Sequence, residues 1–448
     1  MFNVDPNLIV ECAASGGCNV IRAVVISLLI FLTLLTGFAY TTLLERRFIA
    51  FIQNRIGPNR AGPLGLLFPI ADAVKLFFKE DVTPTNADRV IFWMAPVLKV
   101  IPSIMVVAVV PLGPPLLIPW FDGLWYRVPL GLTDVNVGVL FLLAWFSLGT
   151  YGIVLAGWAS NNKYSMLGGL RASAQMVSYE LSLGVSMSIP IIITGSMSLQ
   201  TIIDSQASPS ILGWYVFQNP VAAIILLVAL LAEVNRAPFD LPEAEQELTA
   251  GYHTEYSGMK FALFFMAEYI SMISVSIIAV ALFFGGYHFI LVDQFPILGP
   301  IVYAVKVVLF LLGMIWLRAT LPRIRYDRLM ALGWKVLFPL ALVAAGWTAL
   351  AVLVGDAFGQ AAGAVAWISG GVATVIVAAV MLQGRAGEDE APSRIEQVAL
   401  ERRGFGFQVL SAIGILLMIP VWLFNGTLRQ LRNVQRAVRL DDTKSGGD

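Results

Sequence analysis

Long apolar stretches recur along the whole of this 448-residue chain, separated by shorter polar segments. A bilayer core takes about 20 consecutive apolar residues per helix. Stretches near that length predict spans at 20–42, 91–112, 135–158, 174–194, 219–236, 260–285, 300–318, 334–355, 362–383 and 406–425. The intervening segments alternate in charge. Those after the odd-numbered spans hold 20 Lys and Arg residues, counting the span ends that border them, and those after the even-numbered spans hold one. Positive residues accumulate in cytoplasmic loops, so the odd loops are expected inside and the N-terminus outside. The tail disagrees. Ten spans place it outside, yet it carries Arg429, Arg432, Arg436, Arg439 and Lys444. Either the tail is an exception, or one of the last two segments does not cross.

Within the first inside loop, residues 65–80 (GLLFPIADAVKLFFKE) place Asp72, Lys75 and Lys79 on one narrow arc of an otherwise apolar helix. Such a helix lies in the membrane interface; the alternative is a short soluble helix against a partner. The fold expected is therefore all-α and polytopic, about ten spans plus an interfacial amphipathic helix.

The loop between spans five and six is unusual for an inside loop. Residues 232–269 hold seven acids, Glu233, Asp240, Glu243, Glu245, Glu247, Glu255 and Glu268, against Arg236 and Lys260. A solvated acidic surface facing a basic partner explains that surplus as it stands. Depth adds a second explanation. At about 1.5 Å per residue, Glu180, Glu268 and Glu233 sit roughly 10, 12 and 5 Å in from the inner surface. Intramembrane carboxylates are costly and face a hydrated path or a partner charge. Three of them on three helices suggest a proton-conducting passage. Lys99 lies deep enough to pair with one of these acids, whereas Lys306 sits toward the outer end of its span, where it is expected to snorkel. In residues 43–65, Gly57, Pro58, Gly62, Pro63 and Gly65 force a shaped loop carrying Gln53, Arg55 and Asn59. An apolar slot with a few placed polar groups suits a quinone, though a lipid or protein interface has the same composition.

Composition excludes several classes. Apolar residues make up 58% of the chain and charged residues 13%, far from soluble proportions. The formal net charge is zero, which gives a nucleic acid nothing to bind. With only Cys12, Cys18, His253 and His288 as candidate ligands, no haem or iron–sulfur site can be assembled, so any redox cofactor belongs to a partner; no metal is expected on the chain. Cys12 and Cys18 form a pair if they lie outside the cytoplasm and are otherwise free thiols. The start of the chain lacks the pattern of a cleaved signal, and residue 1 is expected to be retained. A secondary transporter fits the composition, but no internal repeat is visible. A passive anchor leaves the buried acids without a purpose.

Four segments, ERRFIAFIQNRIGPNRAGPLGLLFPIADAVKLFFKE, GWASNNKYSMLGGLRASAQMVSYE, AEVNRAPFDLPEAEQELTAGYHTEYSGMKFALFFMAEY and RATLPRIRYDRLMALGWK, resemble those of the H-subunit family of NADH-quinone oxidoreductase, respiratory complex I, from about residue 20 to about residue 350. That family is the bacterial counterpart of the first mitochondrially encoded subunit of the complex. The resemblance implies a multi-pass protein of the bacterial plasma membrane at the heel of the complex. It would wall a quinone cavity and link reduction of ubiquinone or menaquinone to proton translocation and electron transport. The residues so implied are Gln53, Arg55, Asn59, Asp72, Arg236, Asp240, Glu243, Glu245 and Glu247 for the cavity, and Glu45, Glu180, Glu233 and Glu268 for the proton path. No cofactor is expected on this chain. Quinone is the substrate, and iron–sulfur clusters and flavin belong to partner subunits. Peripheral-arm and neighbouring membrane-arm subunits are the expected partners. Residues 1–355 form the expected core, and 356–448 an extension with one or two further spans and a charged tail. The membrane subunit of a respiratory hydrogenase or another ferredoxin- or flavin-linked complex is the related alternative, less similar in the IQNRIGPNR segment.

Overall fold

The computed structural model describes residues 9–12, 16–119, 124–207, 213–240, 249–289, 292, 295–358, 367 and 371. Helices in chain order are α1 (Gly16–Ile52), α2 (Phe68–Phe78), α3 (Arg89–Met105), α4 (Gly138–Ala159), α5 (Lys163–Thr194), α6 (Leu199–Asp204), α7 (Tyr215–Gln218), α8 (Pro220–Glu233), α9 (Gly258–Phe283), α10 (Leu298–Thr320), α11 (Tyr326–Leu332) and α12 (Phe338–Phe358). Seven helical stretches among the described residues are long and apolar enough to cross a membrane: α1, α3 with its 3-10 continuation to Val109, α4, α5, α9, α10, and α11–α12 as one unit. They answer seven of the first eight predicted spans. The fifth is α8, an apolar helix of only 14 residues. The ninth and tenth predicted spans and the tail lie outside the described residues, apart from residues 367 and 371.

Local chemistry sets the helix ends. The Asp88 side chain accepts from the Val90 and Ile91 N–H groups and starts α3. Asn162 does the same for Tyr164, so α5 begins at Lys163, eleven residues before its apolar span. Pro96 and Pro102 lie inside α3, and each removes a backbone donor from the ladder. A π-helical turn at Gly333–Leu337 joins α11 to α12.

α9 occupies the centre of the bundle. Of its apolar window, 78% is buried, against 11% for α1 at the periphery. α3, α4 and α5 pack through small residues, the usual device where lipid offers no hydrophobic drive. A Cβ at Gly152 of α4 would lie 2.9 Å from the Lys99 backbone nitrogen and 3.0 Å from the Ala95 carbonyl of α3. α2 lies against α1 and α9, and none of its residues is buried.

The sequence pattern does not anticipate a small sheet at the end opposite α2. β1 (Ile9–Glu11) pairs parallel with β3 (Trp125–Val128), which pairs antiparallel with β2 (Leu116–Pro119). Beside it, Cys12 and Cys18 form a disulfide, with Cα atoms 5.4 Å apart.

Candidate functional site

The turn after α8 carries the chemistry. Its backbone is irregular, with Asn235 at φ 57°, and Gln175 of α5 holds it in place. That fully buried side chain directs Nε2 at the Ala232 carbonyl (3.0 Å), Asn235 Oδ1 (3.1 Å) and the Phe239 carbonyl (2.9 Å). The turn thereby presents Arg236, itself buried, to two helices, α1 and α9. Arg236 Nε lies 2.6 Å from Glu268 Oε1 on α9, and Nη1 lies 3.7 Å from Glu45 Oε1 on α1. Arg318 of α10 donates a hydrogen bond to the same Glu45 oxygen. The Arg236 guanidinium stands 4.4 Å from the centroid of the Tyr269 ring. Two acids and two arginines thus neutralise one another in a region where a lone charge is costly.

A second group adjoins the first. Lys99, buried in α3, interacts electrostatically with both Glu233 and Glu268, and Glu233 interacts with Glu180. Ser147 of α4 donates a hydrogen bond to Glu180. Lys99, Ser103, Glu233, Ser271 and Ser274 line a cavity of about 10 Å³, about the room of one water. Lys99 thus lies within electrostatic reach of two acids, Glu233 and Glu268, rather than in a salt bridge with one of them. Charged and hydroxyl groups therefore succeed one another from Glu45 through Arg236, Glu268, Lys99 and Glu233 to Glu180.

An apolar groove of about 540 Å³ opens between α1, α2 and α9, lined among others by Phe38, Thr42, Asp72, Phe77, Met259 and Phe265. Aromatic rings join its inner end to the charges. Phe38 lies 6.3 Å from Phe265 and 6.0 Å from Tyr269, and Phe265 and Tyr269 are 4.8 Å apart. Tyr269 is the ring beneath Arg236. Asp72 marks the outer wall, 2.6 Å from Lys75 and 3.9 Å from Arg46.

The expected site residues divide. Glu45, Arg236 and Glu268 meet directly, with Glu233 and Glu180 next in series, and Asp72 lines the groove. Gln53, Arg55 and Asn59 are exposed on the loop after α1, where Arg55 Nε donates to Gln53 Oε1 at 2.7 Å, and they are not among the groove lining. Asp240 pairs with Arg323 at 2.6 Å, and Ile324 N–H donates to the Pro238 carbonyl, tying the loop after α8 to the one after α10. Glu243, Glu245 and Glu247 lie outside the described residues. Lys306 departs from expectation: instead of snorkelling, its ammonium donates to the Phe284, Gly286 and His288 carbonyls at 2.8–2.9 Å. These are orphan acceptors at the end of α9, and a cation suits them.

Sequence reasoning misses Arg318, Arg323 and Gln175. The two arginines count there only as inside-loop charge. Their one distinguishing signal is position, at the end of an apolar span and in the short segment after it.

Known proteins are similar to this chain. A profile described as NADH dehydrogenase matches residues 25–349. The NADH-quinone oxidoreductase H subunit numbered 2 in Geobacter sulfurreducens is 48% identical over 328 residues, 72% of this chain and 95% of that protein. The H subunit of the same enzyme in Thermomicrobium roseum is 50% identical over 323 residues, 71% of this chain and 92% of that protein. That of Protochlamydia amoebophila is 48% identical over 308 residues, 69% of this chain and 90% of that protein. With nearly the whole length of these relatives matched at about half identity, the chain belongs to the H-subunit family of NADH-quinone oxidoreductase.

Proposed function

We propose that this chain, a multi-pass membrane subunit of NADH-quinone oxidoreductase, walls part of the quinone-binding cavity and provides a carboxylate path linking quinone reduction to proton translocation. One observation carries the reading: the apolar groove between α1, α2 and α9 ends, through Phe38, Phe265 and Tyr269, on the cluster of Glu45, Arg236, Glu268 and Arg318. A quinone has an apolar tail and a polar head that takes up two electrons and two protons. The groove suits the tail. The cluster supplies cations for a reduced head and carboxylates that exchange protons. Lys99, Glu233 and Glu180 continue the series into the membrane.

The chain itself brings no redox centre to this scheme. Electrons come from partner subunits, whose iron–sulfur clusters and flavin stand upstream of the quinone. Peripheral-arm subunits complete the cavity, and membrane-arm neighbours receive the proton path. The setting is a bacterial plasma membrane, with the loops that carry the motifs cytoplasmic and the N-terminus outside. Support for that orientation comes from the distribution of Lys and Arg and from the Cys12–Cys18 disulfide, a bond of oxidising compartments. The core is residues 1–355, and 356–448 is an extension.

The test is made on the assembled complex in its membrane. In Asp72→Asn and Phe265→Ala, electron transfer to quinone slows and the response to quinone-site inhibitors shifts. Donor oxidation by a soluble acceptor that takes electrons upstream is unchanged. Inhibitor titrations superimposable on the parent's, in both variants, overturn the groove as the quinone site.

A further inference from the structure

Lys260 stands outside the charge series just described, yet it is 1% exposed. A buried ammonium is tolerated only with partners, and those it has are informative. Its Nζ donates to Thr83 Oγ1 at 2.7 Å and lies 3.0 Å from Asp81 Oδ1. It also stands 4.8 Å and 4.5 Å from the ring centroids of Phe92 and Trp93. Asp81 and Thr83 belong to the short segment that follows α2. Two further residues at the start of α9 grip that segment. Ser257 Oγ accepts the Val82 N–H at 2.9 Å and donates to the Glu80 carbonyl at 3.4 Å. Gly258, at φ 54°, comes so close that a Cβ there would lie 3.3 Å from the Lys79 carbonyl.

The reason for such a grip lies in α2 itself. It forms one whole wall of the groove, and none of its residues is buried, so no packed core holds it in place. An element of that kind is fixed by its ends. At its start, the Arg46 guanidinium stands 4.6 Å from the centroid of the Phe68 ring, and Asp72, one turn on, lies 3.9 Å from the same guanidinium. At its finish stands Lys260. Met259, beside Lys260, lines the groove opposite Phe77 and Phe78 of α2. Lys260 therefore follows the α9 wall at Met259, with its ammonium on the segment that follows the α2 wall.

We propose that Lys260 is a positioning residue for the groove: it pins the segment after α2 to the start of α9 and so sets the distance between the two walls. The proposal rests on the groove being the quinone site, and its test separates the two claims.

Lys260→Met keeps an unbranched apolar stem and removes the charge. Asp81 is 36% exposed on its side chain, so the variant leaves no buried uncompensated carboxylate. In the assembled complex, hydrogen exchange of a peptide spanning residues 79–83 quickens, because the Val82 N–H loses its steady acceptor. The KM for a short-chain quinone rises about fivefold while kcat stays within about twofold, the signature of lost binding rather than lost chemistry. Asp81→Asn shifts both in the same direction, and the double variant is no worse than Lys260→Met, as expected of residues acting through one contact. If Lys260→Met fails to assemble, Asp81→Asn and Thr83→Val each remove a single partner and take the same measurements. Unchanged exchange at 79–83 overturns the pin, whatever the groove binds. Quickened exchange with an unchanged quinone KM overturns the claim that the pin sets the groove for quinone. The Asp72 and Phe265 variants then decide whether quinone binds there at all.

Discussion

Arg236 joins the two acids of the first charged group. It pairs with Glu268, faces Glu45 and lies over Tyr269. Removing one partner of a buried ion pair costs roughly 3–5 kcal/mol, because the other charge stays behind. Arg236→Ala therefore lowers the amount of assembled complex as well as its quinone reductase rate. Arg236→Lys keeps the charge and loses the two-pronged geometry, so assembly recovers while the rate does not. Quantifying the complex beside its activity separates the two. For Glu180, Glu233 and Glu268, replacement by Gln retains size and hydrogen bonding. The expected outcome is an assembled complex whose proton pumping falls sharply in at least two of the three variants, read as acidification per quinone reduced in vesicles. Normal pumping in all three reduces them to structural groups. These acids are legible in the sequence because depth alone makes a carboxylate conspicuous. Arg318 is not, because a charge at a span end looks the same whether it faces water or reaches back to Glu45.

At the scale of elements, α3 and α4 meet where Gly152 leaves room for the backbone around Lys99. The clash that Gly152→Ala introduces is with backbone, which cannot rotate away. The two helices separate, Lys99 shifts, and thermal stability of the complex falls by the roughly 1–3 kcal/mol typical of overpacking, measurable as a lowered midpoint. On the other face, Asp204 at the end of α6 faces Tyr287 (2.7 Å) and His288 (3.6 Å) of the turn after α9, and accepts a hydrogen bond from Gln200 of its own helix. Partial burial works against its ionisation, but hydrogen bonds from Tyr287 and Gln200, with the His288 imidazole 3.6 Å away, outweigh it and hold the carboxyl below its ordinary value. A depressed carboxyl stabilises the fold above the unfolded pKa of about 3.9. That contribution is lost as pH falls through the lower folded value, so acid loosens this face first in the parent but not in Asp204→Asn, as amide exchange reads. Element boundaries are less legible than their existence. Apolar windows locate α9 and α10 well. They miss the first eleven residues of α5, where Lys163, Ser165, Arg171, Ser173 and two glycines interrupt the apolar run and the Asn162 cap sets the start. They also miss the sheet, whose strands of three or four residues are too short to display a period.

For the whole molecule, orientation is the claim on which every placement depends. Single cysteines placed near residues 60, 165, 250 and 325 are expected to react with impermeant reagents only from the cytoplasmic side. Those placed near 120, 205 and 292 are expected to react only from outside. Reversal at two or more sites overturns the orientation. Fold class and family are legible in the sequence, because seven crossing-length helices and several long motifs repeat the same message. The convergence of Glu45, Arg236, Glu268 and Arg318 is not. Those four residues come from four separate stretches of chain, and only the packing of α1, α9 and α10 around the turn after α8 brings them together.

The shortness of α8 has an electrical consequence. Fourteen residues rise about 21 Å, whereas the hydrocarbon core is about 30 Å thick. On the proposed function, the polar turn after α8, with Arg236 and its carboxylates, completes the crossing and shortens the insulating layer from the inner side. A membrane voltage then falls mainly across what remains, so on that proposal a proton travelling from the groove to Glu268 traverses little of it. The step beyond Glu233 is the one that works against about 2.3 kcal/mol per 100 mV, and there a rising potential slows turnover while leaving protonation at the groove untouched.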